Sequence, residues 1–191
     1  TDNEKPTIRV PKLISVVNDA GQCGAVVNPG NATVSDNCGV ASVTNDAPAF
    51  FPVGSTKITW TVTDIHGNSD TATQMITVID NELPVITVGI DHFNVNNDAG
   101  KCGAVVNIGT PTTSDNCVIT SVTNDAPAVF PVGTTVVTWT VKDNQYTATA
   151  TQTVTVTDNE KPAIVAPANI NTINDPGKCT SVPLLGTPVN S

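Results

Sequence analysis

KITWTVTD, residues 57–64, alternates apolar and polar side chains: Ile58, Trp60 and Val62 share one face, and Thr59, Thr61 and Thr63 take the other. That period of two belongs to a half-buried strand, because a helix would repeat every 3.6 residues. The same pattern returns with Val137, Trp139 and Val141 inward. In TATATQTVTVTD, residues 147–158, Ala148, Ala150, Val154 and Val156 fall on one side and a ladder of Thr on the other. Threonine on a solvent face satisfies its hydroxyl in water and stiffens the strand. Turn words such as NDAG, NPGN, DAPA, FPVG and HGNS separate the strands, and no segment reads as a helix.

Outward from this strand the words recur in order. DNE begins at 2, 80 and 158; NDAG at 18 and 97, with NDPG at 174; SDNC at 35 and 114; SVTNDAPA at 42 and 121; FPVG at 51 and 130. The period is near 78 residues, so these are domains in a string rather than solenoid turns. We read repeat 1 as 1–79, repeat 2 as 80–157, and 158–191 as the N-terminal part of a third. Short strands punctuated this regularly around one inward Trp predict an all-β fold, of tandem immunoglobulin-like antiparallel β-sandwiches joined by short linkers.

The formal net charge of −9 opposes binding to a phosphate backbone, so nucleic acid is excluded as a partner. No run of 18 apolar residues is present, so no membrane-spanning helix is expected in this segment. Cys23 and Cys38 are 15 residues apart, as are Cys102 and Cys117. None sits in a CxxC motif, which disfavours zinc. The spacing predicts two local disulfides, Cys23–Cys38 and Cys102–Cys117, and hence an oxidising compartment. A partner for Cys179 at the same spacing falls near position 194.

QCGAVVN, VSDNCG, FPVGSTKITWTVTD and ITVIDNELP, taken in order, resemble the HYR (hyalin repeat) module, found in tandem in large bacterial surface proteins. The resemblance covers both full repeats and the partial third. It implies an immunoglobulin-like fold, an extracellular or cell-surface location and a role in adhesion. The second repeat departs where DIHGNSD becomes the shorter DNQYTA.

Counting strand directions assigns each loop to a pole. With the entry end of a repeat called its top, NDAG and NDAP fall at the bottom, and DNE, SDNC and Asp64 at the top. Repeat 2 therefore gathers Asp80, Asn81, Glu82, Asp115 and Asp143 at its top, beside Asp19 and Asp46 from the bottom of repeat 1. The top of repeat 1 carries Asp2, Glu4, Asp36 and Asp64, and Asp158 and Glu160 open the third copy. Carboxylates this close repel unless neutralised, and Ca²⁺ accepts six to eight such oxygens. DNE before a proline resembles the acidic linker of cadherins, which stiffens on binding Ca²⁺. The alternative is solvated turns, since Asp and Asn also bond their own backbone.

The expected function is a non-enzymatic stalk or filament segment of a multi-repeat adhesin, stiffened by Ca²⁺ at its joints. Its expected partners are neighbouring repeats of the same chain and other cell-surface or matrix molecules. The alternatives are a carbohydrate- or protein-binding module, and an accessory region of a secreted enzyme. No catalytic set is assigned: His66 and His92 are not repeat-equivalent and no nucleophile is suggested near either. Trp60 and Trp139 are expected in the core, while Phe50, Phe51 and Phe130 cap a sandwich or lend an apolar contact between domains. Asn31-Ala32-Thr33 is a glycosylation sequon.

Overall fold

The alternation at Ile58, Trp60 and Val62 becomes one strand of a four-stranded sheet in the computed structural model, which describes residues 2–181 and 183–190. The first repeat holds β1 (Thr7–Arg9), β2 (Ile14–Val17), β3 (Gly24–Ala25), β4 (Thr33–Ser35), β5 (Val40–Asn45), β6 (Phe51–Pro52), β7 (Gly54–Asp64) and β8 (Ser69–Ile79). The second holds β9 (Val85–Thr87), β10 (His92–Asn96), β11 (Gly103–Ala104), β12 (Thr112–Ser114), β13 (Ser121–Asn124), β14 (Phe130–Pro131), β15 (Gly133–Lys142) and β16 (Thr147–Thr157). The pair β17 (Ile164–Val165) and β18 (Val189–Asn190) follows. No helix among the described residues is long and apolar enough to cross a membrane.

The chain divides into two units: residues 1–91 with 108–126 and 136–152, and residues 92–107 with 127–135 and 153–191. In the first unit the sheet order is β2-β8-β7-β5, and β1 pairs with β4 and β3 with β6. The β9–β12 and β13–β15 pairs also lie there. The second unit contains the β10–β16 and β11–β14 pairs. The ladders are antiparallel except at one edge, where β2 runs parallel to β8 and β10 parallel to β16. Asp64 closes β7, and Asp80 follows β8, at the opposite end of that antiparallel hairpin.

The core of the first repeat collects Ala25, Phe51, Ile58, Trp60, Ile76 and Val78. Its equivalents Ala104, Phe130, Val137, Trp139, Val154 and Val156 are buried as well. Phe51 and Phe130 are thus core residues, whereas Phe50 stays partly exposed and lies over Gly24. A polar residue interrupts each apolar face. Gln74 and Gln152 are buried, yet each accepts a hydrogen bond from a Trp Nε1, Trp60 at 2.9 Å and Trp139 at 3.1 Å. Their amide nitrogens donate to loop carbonyls, Lys12 and Pro29 in one case and Ile90 and Ile108 in the other. A buried indole N–H without an acceptor would cost about 1–3 kcal/mol, which explains a Gln in a Val/Ile face.

Gly24 lies where backbones nearly touch: a Cβ there would stand 2.3 Å from the Phe51 carbonyl oxygen. Gly24→Ala should therefore cost about 1–3 kcal/mol of stability. Gly89→Ala, where a Cβ meets nothing within 4 Å, should leave the urea midpoint unchanged.

Candidate metal centre and repeat junction

Two carboxylate triads form within the first unit. Asp2, Asp36 and Asp64 form one, Asp80, Asp115 and Asp143 the other, with ligand oxygens in each within 4.8 Å of one another. The spread suits Ca²⁺, whose oxygens at 2.3–2.6 Å can lie up to about 5 Å apart across the ion. Loop geometry explains why they face inward. Each Asp spends an oxygen on its own turn: Asp115 Oδ2 accepts from Cys117 N, Asp36 Oδ2 from Cys38 N and Gly39 N, and Asp2 Oδ1 from Glu4 N. Asp143 Oδ1 likewise accepts from Gln145 N and Tyr146 N.

In these four residues the second oxygen is then left over, whereas Asp64 Oδ2 accepts from Asn68 Nδ2. Asp115 Oδ1, Asp143 Oδ2 and the Asn116 side-chain oxygen are buried without a hydrogen-bond partner, as are Asp2 Oδ2 and Asp36 Oδ1. Asp143 is only 6% exposed and Asp80 only 2%. A buried carboxylate oxygen with nothing to accept from is costly, and four of them, with the Asn116 amide oxygen, fall in these two clusters, an arrangement that could hold a cation. Burial pushes the Asp115 carboxyl up, with the charges of Asp143 and Asp80 adding to it against the Cys117 amide. Asp64 is also pushed up by burial, but donors from Asn68, His66 and Gly67 outweigh this and hold it low. The Glu4 amide, first among several donors, lowers Asp2. Asp2 also lies beside Cys38 and His66, and its carboxylate raises the Cys38 thiol.

The glutamates do something different. Glu82 turns back to the NDAG turn, accepting from Asn18 Nδ2 at 2.9 Å and Gly21 N at 2.7 Å. Asn81 N donates to Asn18 Oδ1. In the second unit the clamp repeats: Glu160 accepts from Gly100 N, and Asn159 N donates to Asn97 Oδ1. The DNE triplets at 80 and 158 therefore each grip the turn of the copy before.

Residues 1–78 match the HYR domain family. The chain is 36% identical over 184 residues to "Hyalin" of Lytechinus variegatus, a match over 90% of this chain and 35% of that protein. It is 35% identical over 180 residues to "Hyalin" of Strongylocentrotus purpuratus, covering 87% of this chain and 15% of that one. The chain thus spans about a third or less of these relatives. Among solved structures it is similar to protocadherin gamma B2 extracellular cadherin domains 3–6, at 14% identity and a TM-score of 0.39, over 82% of this chain and 53% of that one.

Several expected ligands of the HYR-matched segment and its neighbour are placed elsewhere. Asp19 Oδ2 accepts from Val26 N, and Asp46 Oδ1 from Thr59 N, so both cap their own loops rather than join the triad. Glu4 is exposed, and Glu82, Asn81 and Glu160 serve the clamp. Asp158 is exposed and accepts from Glu160 N. Asn18 and Asn97, absent from the expected set, anchor the clamp, and the recurrence of Asn in NDAG and NDPG is the signal that marks them.

The disulfide expectation is corrected. Cys23 bonds Cys117, 94 residues away, while Cys38, Cys102 and Cys179 are free and exposed. NDAG and SDNC lie at opposite poles of a repeat, too far for a bond that needs Cα atoms within about 7 Å. They meet only across a junction. Asn116 Nδ2 seals that contact by donating to Gln22 O and Asp80 Oδ1.

Proposed function

We propose that the chain is a non-enzymatic, extracellular structural segment of an adhesion-type protein, whose HYR-like repeats are locked in series by Ca²⁺. The observation that carries the reading is the set of buried, unpartnered oxygens of Asp115, Asn116 and Asp143 around Asp80. Those residues come from the linker, the SDNC loop and the end of β15. An ion there fixes the linker to two loops of the following repeat, and the Glu82 clamp and the Cys23–Cys117 bond tie both to the preceding NDAG turn. Stiffness in a stalk or filament needs such joints, because each sandwich is already rigid. Adhesion to cell-surface or matrix molecules is the role we assign to the protein that carries the segment. The HYR match and the likeness to hyalin support it. Trp60 and Trp139 are buried, so neither offers a platform for stacking sugars.

Calorimetric titration should find two Ca²⁺ per chain, one for each triad. Small-angle scattering should then show greater bending in EGTA, most clearly in reduced protein, where the disulfide no longer shares the load. Absence of binding heat, or a scattering curve indifferent to EGTA in the reduced chain, would defeat the reading.

A further inference from the structure

Asn31-Ala32-Thr33 is a motif that the joints leave unused. Its amide and hydroxyl stand two residues apart, so in extended backbone both face the same side. The fold keeps that arrangement: Asn31 and Thr33 are exposed, while Ala32 turns inward against the core of the first repeat. Thr33 opens β4 and pairs with Arg9 of β1. The loop before it is fixed in place. Asn28 Oδ1 accepts from Gly30 N at 2.9 Å, and Pro29 O accepts from Nε2 of the buried Gln74 at 3.1 Å. The Asn31 side chain makes no hydrogen bond with the described residues, so the fold does not need its amide. Its place is the flank of the repeat. Gln74, which holds the loop, is the midpoint of β8 (Ser69–Ile79). Along the β1–β4 ladder, Thr7 pairs with Ser35 at the end next to Asp2 and Asp36, and Asn31 lies beyond the other end. Repeat 2 supplies a contrast. Its matching triplet is Thr110-Pro111-Thr112, with no amide at the first position and, at the second, the proline that a sequon excludes.

We propose that Asn31 is an N-glycosylation site, and that its glycan covers the flank of repeat 1 while the metal triads and the Cys23–Cys117 junction stay bare. The donor is an oligosaccharide carried on a lipid pyrophosphate. Asn31 Nδ2 attacks C1 of the first sugar. The new N–C1 bond forms as the C1–O bond to pyrophosphate breaks, one amide proton is lost, and the lipid pyrophosphate leaves. The Cys23–Cys117 bond requires an oxidising compartment, and a secretory route that supplies one also brings the chain to the transferase. A bulky, hydrated sugar needs an outward side chain. Asn31 offers one at no cost to packing, whereas at Ala32, one residue on, it would open the core. The extracellular reading is the one premise shared with the proposed function; the Ca²⁺ reading is not used.

The test uses the whole chain secreted from cultured animal cells, treated with peptide N-glycosidase in heavy-oxygen water and then peptide-mapped. Treatment should lower the mass of the chain and leave a heavy-oxygen Asp at position 31. Asn31→Gln and Thr33→Ala should each abolish the mass shift, while Thr33→Ser, which keeps the sequon, should retain it. Thr110→Asn combined with Pro111→Ala should add a second shift, because Thr110 and Thr112 are exposed as Asn31 and Thr33 are. A secreted parent of unmodified mass, a label at any other residue, a shift that survives Asn31→Gln, or no second shift in the repeat-2 variant would each overturn the proposal. The parent chain decides occupancy by itself, so the result does not hang on a variant folding. The parent and Asn31→Gln should also bind the same number of Ca²⁺, and a difference would overturn the flank placement. Equal absence of Ca²⁺ binding in both would strike the metal reading and leave the glycan standing.

Discussion

Asp143→Asn should reduce Ca²⁺ stoichiometry from two per chain to one. The substitution is nearly isosteric. Oδ1 still accepts from Gln145 N and Tyr146 N, so the turn that follows β15 keeps its cap. What changes is Oδ2, a buried oxygen without a partner, which becomes an N–H₂ that no cation accepts as a ligand. Affinity at that triad should fall roughly 100-fold, the order expected when one charge leaves the oxygen set of a Ca²⁺ site. The Asp2, Asp36 and Asp64 triad should bind as before. In EGTA the sign reverses. Three carboxylates within 4.8 Å of one another repel, so removing one should leave the metal-free protein as stable or more stable. Urea denaturation with and without Ca²⁺ reads both effects. If the acids were solvated turn residues, Asn would be neutral in both buffers and Ca²⁺ would shift neither protein.

How far the sequence foretold this site depends on which question each residue answers. Period-two alternation is a property of the backbone, so Ile58, Trp60 and Val62 could be assigned to the core by inspection. Strand parity is equally local, and it sorted Asp36 and Asp64 to the pole of Asp2, and Asp115 and Asp143 to that of Asp80. Parity stops short of side-chain direction. Asp19 and Asp46 sit near the junction, yet each bends to an amide of its own repeat, a choice that depends on loop geometry that no spacing encodes. Glu82 has one more methylene than Asp80, and that reach carries it back to Gly21 instead of into the triad. Gln152 interrupts the Ala148–Val156 face, a gap that makes sense only once Trp139 Nε1 is known to need an acceptor. The cysteines give the clearest lesson. Pairing Cys23 with Cys38 by spacing conflicts with placing NDAG and SDNC at opposite poles, and the pole assignment is the physically stronger of the two because strand length fixes it.

Cys117→Ser should then cost far more than a serine at Cys38 or Cys102. The Cys23–Cys117 bond closes a loop of 94 residues, and on the chain-entropy model a loop of that size restrains the unfolded state by about 4–5 kcal/mol, against about 3 for a 15-residue loop. The unfolding temperature should drop by roughly 10–15 °C, given the usual few degrees per kcal/mol for a chain of this size. Cys38→Ser and Cys102→Ser remove thiols that are free and exposed, so they should change it little. Local pairing predicts a different pattern, with the three substitutions alike, since each would break one 15-residue loop. Thermal melts of the single variants, with and without reductant, separate the two: reductant should bring the parent down to Cys117→Ser and leave that variant unmoved. A second consequence follows from where the bond lies. It fixes the SDNC loop, with Asp115 and Asn116, against the NDAG turn that Glu82 grips. Breaking it should therefore also weaken Ca²⁺ at the Asp80 triad several-fold, while the Asp2 triad, whose Cys38 is already a free thiol, binds unchanged.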